Sequence, residues 1–504
     1  MKKILFVIAG ILLLYNLYLG SASVRSGEIN FFNDVSRDFL LLQELDYKKI
    51  VLIGPRSSTA GLFHGPLWTY VNYPAYLLGH GDPVVIAWFW QFLEIAFLIG
   101  CFFLAKKLFG NLIAFAYVLI LSSRLIPHIN GIFHSEATFF ITPFLFFTIE
   151  RYVTTKKNIF LIIHLIITSA LIQLEIGDGI PFLALSTVVA FFVIYKNKLW
   201  KHLLSFLIVP LCLINLILFD IKHELRMFHA IISTGTGQKY FVTIPDWIKN
   251  RIENIVSLEL LDSPEYHMPL LIIIFFAVIA GSIYEIKKRS KYARVYALFL
   301  FYFLGYITMS YFNKGLLLYH YVYLLIPITT LWLVSFLRKG KFVFLFVIFS
   351  IAIYLLTYAN GTKYITDLQN SFQDKNPNSW RGLSSVADEI VKRQKNEEFG
   401  YFVYSPDAFA YQPRYAMIYN FQNSKANAFE YQKKATTYVV AQPPPANNPY
   451  MEHDWWIKVK AGIKNDPTFT KKMPNGYTIL EYHLTPDEQK IPHEKNIELG
   501  ISFR

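Results

Sequence analysis

Long apolar runs alternate with short polar links along most of the chain. A helix needs roughly 20 apolar residues to cross the hydrocarbon of a bilayer, and about eleven segments approach that length. They lie near 4–24, 83–105, 111–127, 136–150, 159–175, 180–195, 203–219, 269–284, 295–311, 316–337 and 342–358. The third and fourth are short, and the turn RLIPHINGIFHSE (124–136) separates them. The pattern changes near residue 359. The polar stretch NGTKYITDLQNSFQDKNPNSW gives way to a helical period in VADEIVKRQ, then to strand-like FGYFVYS, TTYVVAQ and GYTILEYHL, with PPPANNP as a turn or linker. These periods predict a polytopic α-helical membrane domain over 1–358, followed by a small α/β domain over 359–504. SAS at 21–23 resembles a signal-peptidase site, so a cleaved leader over 1–23 is the alternative to a first span; the remaining topology is the same either way.

Composition supports the membrane class. The 504 residues are 54% hydrophobic and only 16% charged, where a soluble domain carries about a quarter. The net charge of +13 raises the question of nucleic acid, and the placement of the charge answers it. Lys and Arg gather in short links: 106–107, RYVTTKK (151–157), KNKLWK (196–201), KKRSKYAR (287–294) and RKGK (338–341). With eleven spans all of these fall on one side, and the long mixed-charge segments 25–82, 220–268 and 359–504 fall on the other. The positive-inside rule then puts the N-terminus in the cytoplasm and the C-terminal domain outside the cell (inner) membrane. No nucleic-acid partner is implied. Cys101 and Cys212 both sit in apolar segments, which excludes a disulfide framework and a thiolate metal site.

The first outer segment carries the chemistry. In INFFNDVSRDFLLLQEL (29–45), a helix would place Val35, Phe39 and Leu42 on one stripe and Asp34, Arg37 and Asp38 on the adjacent arc. This suits a helix lying in the membrane interface, with its apolar side in lipid. The bland alternative is an i,i+3 pair of Arg37 with Asp34 on a surface helix. The next stretch, LIGPRSSTAGLFHGPLWTYVNYPAYLLGHGDP (52–83), is rich in Gly and Pro, holds Arg56, His64 and Asp82, and carries Trp68, Tyr70, Tyr73 and Tyr76. Such a loop can close over a polar ligand at the membrane surface.

An acid after the first span in a D-x-x-R-D setting, followed by GP…GLFHGPLWTY…GDP, resembles the bacterial members of glycosyltransferase family 39. These are GT-C-fold enzymes related to protein O-mannosyltransferases and the lipid A aminoarabinose transferase. The resemblance covers the first 105 residues well and the later membrane part loosely, in LIQLEIGDGIPFLAL and LYHYVYLLIPITTLW. It implies a polyprenyl-phosphate-linked sugar as donor, membrane lipids as surroundings, and an acceptor (protein, lipid or glycan) on the outer face. It makes Asp34, by motif position, the base that activates the acceptor hydroxyl. Many relatives have Asp-Glu there, whereas this chain has Asp34-Val35, so a second acid is missing or moved. Where the aminoarabinose branch has Glu-Lys before the Pro-rich turn, this chain has His64-Gly65, so a basic contact to the donor phosphate has to come from elsewhere.

The chemistry suits that location. A phosphodiester leaving group departs as a stable anion, and the harder task is taking the acceptor proton, which a positioned carboxylate does for about 10²–10⁴-fold. Cations near the phosphate stabilise the charge building there. Attack from the opposite face implies inversion at the sugar carbon. The donor-binding candidates are His64, Arg56, Arg37, His320 and Lys314. Asp38, Glu175, Asp178, Arg226 and Lys239 are further candidates, with Glu136, Glu175 and Asp178 expected at water-accessible span ends. Glu94, in mid-span, marks an interior-facing position. No cofactor requirement and no strong metal-ligand spacing is visible; a divalent ion bridging outer-face acids and phosphate is compatible with the residues but unsupported. The rival readings are a lipid-linked glycan transporter, which calls for broken helices in matched halves that this chain lacks, and a non-catalytic scaffold displaying 359–504.

Overall fold

The computed structural model describes residues 2–57, 59–237, 243–254, 268–311, 317, 320–338, 347, 351, 354–355, 358–359, 361–363, 365–366, 376–394, 397–407, 409–445, 448 and 453–498. The chain divides into two compact units. One comprises 1–20, 50–71 and 90–363; the other comprises 21–49, 72–89 and 364–504.

The first unit is helical. Among the described residues, Pro83–Phe109, Ile176–Asn197 and Ala293–Ser310 are long and apolar enough to cross a membrane, with mean hydropathies of 1.9, 1.9 and 1.3. Trp200–Cys212 and Ile214–Lys222 pass the same test as a pair, bent by 57° at Leu213. Shorter apolar helices cover Asn111–Leu125, Asn158–Leu174 and Ile326–Arg338. The expected segment 342–358 lies largely outside the described residues. The core is strongly aromatic: Phe146 stacks on Phe299 with centroids 4.3 Å apart, and Phe299 on Trp332 at 5.7 Å. Many apolar side chains on these helices are nevertheless exposed, including Phe92, Phe103, Val188, Phe192 and Leu211, as hydrocarbon-facing positions are.

The second unit is an α/β layer. Its five-stranded sheet has the order β2-β1-β3-β5-β4, with β1 Phe399–Tyr404, β2 Ala428–Glu430, β3 Thr436–Ala441, β4 Phe469–Lys472 and β5 Thr478–His483. β1 is parallel to both β2 and β3; β5 is antiparallel to β3 and β4. β1 is buried along its whole length and β3 along all but its first residue, which agrees with their continuous apolar runs. Helices Trp380–Gln394 and Tyr411–Asn423 pack in the same unit. The link from β2 to β3 crosses β1 at Gly400, where a Cβ would lie 1.9 Å from the Gln432 carbonyl oxygen.

Residues 21–49, which follow the first apolar run, belong to this second unit. Helix Asn33–Lys48 starts with Asp34 in its first turn and stops at Lys49 in the left-handed region, φ 64°. Its apolar stripe is not in lipid, as expected from the sequence. Val35, Phe39 and Leu42 are buried, and Phe39 packs edge-on against Tyr415 and Phe31. An aromatic cluster with Trp380 offers these side chains more contact than a loose interfacial film could. Polar ties hold the segment as well: Phe31 N donates to Asn378 O at 2.8 Å and Asn33 Nδ2 to Asp407 Oδ2 at 2.8 Å.

Candidate active site

A buried polar cluster in the first unit forms around a helix break. Helix Asn158–Leu174 ends and Ile176–Asn197 begins on either side of Glu175, which is extended (φ −145°, ψ 103°). The two helices are pressed together just beyond it: a Cβ on Gly179 would lie 2.5 Å from the Ile172 backbone. Glu175 caps the second helix, its Oε1 accepting from Gly177 N at 3.3 Å. Buried acids at such a break are expensive unless partnered, and the partners come from three separate segments.

The Gly/Pro-rich loop supplies the first. Gly65 N donates to Gln173 O at 2.8 Å, and a Cβ on Gly65 would fall 1.7 Å from Gln173 Oε1. Gly54 is equally tight against the Gly65 carbonyl, at 2.2 Å. Gln173 Nε2 also donates to Asn215 Oδ1 at 2.7 Å, and Asn215 Nδ2 to Leu52 O at 2.7 Å. Glycine at both positions therefore lets the loop lie flat on the break. The result seats His64, buried, with Nδ1 3.6 Å from Glu175 Oε1.

The turn 124–136 supplies the second. Its His134 ring lies 4.8 Å from that of His64, and Ser135 Oγ donates to Glu175 Oε2. Glu136 of the same turn is 4.0 Å from His128 Nδ1. The third comes from later in the chain. Tyr306 Oη sits 2.6 Å from Asp178 Oδ1 and 2.5 Å from the Tyr321 carbonyl oxygen. Asp178 Oδ2 is buried with no hydrogen-bond partner among the described residues. His320 opens helix His320–Tyr323, its ring 6.0 Å from Phe133 and close enough to Glu175 to bear on its charge.

Glu136, Glu175 and Asp178 are thus not at water-accessible span ends, as the sequence suggested. They are 5%, 2% and 1% exposed, because the loop and the turn fold over them. Of the candidates, His64, Glu175, Asp178 and His320 come together. Arg56 is exposed and bridges Phe63 across the same loop. Arg226 is exposed at the start of helix Arg226–Gly237, its side chain passing 3.5 Å from where a Gly61 Cβ would be. Lys314 and Lys239 lie outside the described residues. Glu94 is buried within helix Pro83–Phe109, its Oε2 without a hydrogen-bond partner among the described residues.

His134, Ser135 and Tyr306 were not among the residues singled out from the sequence. The signal that could have found the first two is the polar run HINGIFHSE between two short apolar segments. Tyr306 carries none, being one tyrosine among 33.

His64, His134 and Glu175 offer ligand atoms within 4.8 Å of one another. Two imidazoles and a carboxylate are a common zinc set that leaves a fourth position open. With ligand bonds of about 2.0–2.2 Å, tetrahedral neighbours stand roughly 3.4 Å apart, so side-chain rotations of about 1 Å would bring these atoms onto an ion. The donor set fits; the arrangement also stands as a charge-paired His–Glu cluster without one.

In the second unit, Asp34 has a side chain 45% exposed and Oδ1 3.1 Å from Arg37 Nη1, while Arg37 Nε is 3.8 Å from Asp38 Oδ1. Arg37 therefore lies between two acids. Asp38 is buried and Asp34 is the acid that reaches solvent.

No family model and no curated protein matches the chain. Among solved structures, ArnT from Cupriavidus metallidurans bound to undecaprenyl phosphate superposes with a TM-score of 0.60 at 10% identity, covering 96% of this chain and 99% of that one. The apo state of ArnT gives 0.57 at 10% identity, over 95% and 98%. At that identity the likeness is one of fold, and it agrees with the resemblance read from the D-x-x-R-D and GLFHGPLWTY motifs. The chain has the GT-C-type fold of ArnT along nearly its whole length.

Proposed function

We propose that this protein is a multi-pass membrane glycosyltransferase that moves a sugar from a polyprenyl-phosphate donor to an acceptor on the outer face of the inner membrane. The observation that carries the reading is the end-to-end likeness in fold to a protein solved with undecaprenyl phosphate bound. The basic links between apolar segments support about eleven spans with the N-terminus in the cytoplasm, and residues 359–504 as an outer domain.

In this reading Asp34 is the general base. It is the solvent-reaching acid of the motif, and Arg37 at 3.1 Å orients it. It takes the proton of the acceptor hydroxyl as that oxygen attacks the anomeric carbon, and the polyprenyl phosphate leaves as an anion, with inversion. His64 and His320, with Arg56 on the same loop as His64, supply positive charge and hydrogen bonds for the phosphate. His134 joins this set by its contact with His64. Glu175 holds the His64 and His134 imidazoles in place, and Asp178 is held by Tyr306. A divalent ion held by His64, His134 and Glu175 would add Lewis-acid stabilisation of the departing phosphate when bound.

The test is transfer by purified protein from defined polyprenyl-phosphate sugars. Wild type should transfer, and Asp34→Asn should lose about 10²–10⁴-fold in rate with donor binding intact. If wild type uses a nucleotide sugar and no polyprenyl-linked one, the donor assignment is wrong. If Asp34→Asn transfers at the wild-type rate, the base assignment is wrong.

A further inference from the structure

Two of the basic links meet in the folded chain. Helix Thr142–Thr155 stops at Lys156, in the left-handed region at φ 58°, and helix Asn158–Leu174 begins two residues later. Helix Ile176–Asn197 stops in the same way at Lys198, φ 54°, and a 3-10 helix, Trp200–Leu207, follows. Side chains tie the two links to each other. Tyr152 Oη and His202 Nδ1 share a hydrogen bond of 3.1 Å, and Ser205 Oγ donates to Asn158 Oδ1 at 2.8 Å.

The join gathers six cations on one surface: Arg151, Lys156 and Lys157 from the first link, and Lys196, Lys198 and Lys201 from the second. The five lysines are all exposed. Glu150 is the one acid in 150–158 and 196–207, and it is turned inward. It is buried, its Oε1 accepts from Thr154 Oγ1 at 2.7 Å, and its Oε2 lies 3.8 Å from Arg151 Nη1. Among the described residues no carboxylate pairs with any of the five lysines. Like charges crowded onto adjoining links repel one another, and an anion from outside the chain relieves that repulsion. The positive-inside rule accounts for each link being basic. It does not require two of them to share a surface with no acid turned outward.

What borders the cations identifies the anion. Phe191, Phe192, Tyr195, Trp200, Leu204 and Leu207 are exposed. Tyr195 meets Trp200 edge-on with centroids 6.1 Å apart, and Lys196 Nζ lies 5.6 Å from the centre of the Phe192 ring. Tyr and Trp settle at the headgroup level of a bilayer, and lysine stems run along apolar surface while the ammonium stays at the polar level. A soluble anion or a nucleic acid would leave this apolar border in water. A phospholipid covers it with acyl chains while its phosphate meets the lysines, as basic pockets between transmembrane helices do with anionic headgroups. We infer that the surface shared by links 150–158 and 196–207 is a binding site for an anionic glycerophospholipid. Its phosphodiester sits against Lys156, Lys157, Lys198 and Lys201, and its acyl chains lie along Phe191, Phe192 and Leu204.

The inference is independent of the transferase reading and is tested by lipid binding alone. The full chain in neutral detergent is incubated with dioleoyl phosphatidylglycerol or dioleoyl phosphatidylcholine, and bound lipids are counted by native mass spectrometry. Wild type should hold the first phosphatidylglycerol at least about tenfold more tightly than phosphatidylcholine, since each cation at the surface adds about fivefold. Lys156→Gln, Lys157→Gln, Lys198→Gln and Lys201→Gln together should remove that preference. The corresponding four Arg replacements should keep it, which separates loss of charge from loss of fold. Lys288→Gln with Arg289→Gln, on a different basic link, should also keep it. Inorganic phosphate in large excess should not displace the lipid. Four results overturn the proposal: equal retention of the two lipids by wild type, an unchanged preference in the fourfold Gln variant, the same loss in the Lys288→Gln, Arg289→Gln variant, or displacement of the lipid by phosphate.

Discussion

Glu28 ties the segment that leads into the Asp34 helix to helix Trp380–Gln394, and its titration makes that tie sensitive to pH. The carboxylate caps helix Trp380–Gln394. Oε1 accepts from Trp380 N at 2.6 Å, and Oε2 accepts from Ser379 Oγ at 2.7 Å and Arg381 N at 3.4 Å. Burial raises its pKa from the usual 4.5 to about 7, against the downward pull of those hydrogen bonds. A folded-state pKa above the unfolded one means that the native protein holds its proton more tightly than the unfolded chain. The contribution to stability is fully present below pH 4.5 and is lost as pH rises through about 7. At 1.36 kcal/mol per unit, a rise of about 2.5 units is worth about 3 kcal/mol. For a cooperative unit of 150–250 residues that is a fall in Tm of about 6–12 °C. Glu28→Gln keeps an acceptor for Trp380 N, turns its amide toward Ser379 Oγ, and does not titrate. The assay is thermal unfolding of both proteins in detergent from pH 4 to 8, with hydrogen exchange of the 380–394 amides as the local readout. Wild type should lose stability relative to Glu28→Gln between pH 4.5 and 7 and run parallel to it above. A constant difference across the whole range would refute the reasoning.

Three further outcomes follow from the buried cluster. His64→Ala leaves the Glu175 carboxylate without its 3.6 Å partner and should cost about 3–5 kcal/mol of stability, as breaking a buried pair does; an unchanged melting curve in detergent would contradict it. Gly65→Ala places a methyl group 1.7 Å from Gln173 Oε1, so it should displace His64 and lower both stability and transfer, whereas Gly27→Ala, with open space around its Cβ but φ +75°, should cost only about 1 kcal/mol. Equilibrium dialysis should find zinc bound by wild type and at least about tenfold more weakly by His134→Ala; equal binding would remove these side chains as ligands.

The sequence alone was enough for the class. Apolar runs of membrane length are local properties, because the bilayer imposes its thickness on each segment separately. The same holds for the strands of the second unit: FGYFVYS, TTYVVAQ and GYTILEYHL became β1, β3 and β5, since a buried strand must be apolar along its length. Asp34 and His64 stood out because motif and loop composition are also linear features. Helix Asn33–Lys48 was legible, but the partner of its apolar stripe was not. A stripe records that a face is buried, not whether lipid or Tyr415 covers it.

Tertiary structure alone decided what surrounds Glu175. Its partners come from residues 64, 134–135 and 320, segments that no period or spacing connects. The short strands β2 and β4 escaped for a related reason. Three or four residues hold too little pattern of their own, and they are strands because β1 and β5 offer them hydrogen bonds. Residues 21–49 and 72–89 likewise join a unit completed only after residue 364. Contacts of that separation are selected by packing and by the need to pair every buried charge, and those demands exist only once the chain has folded.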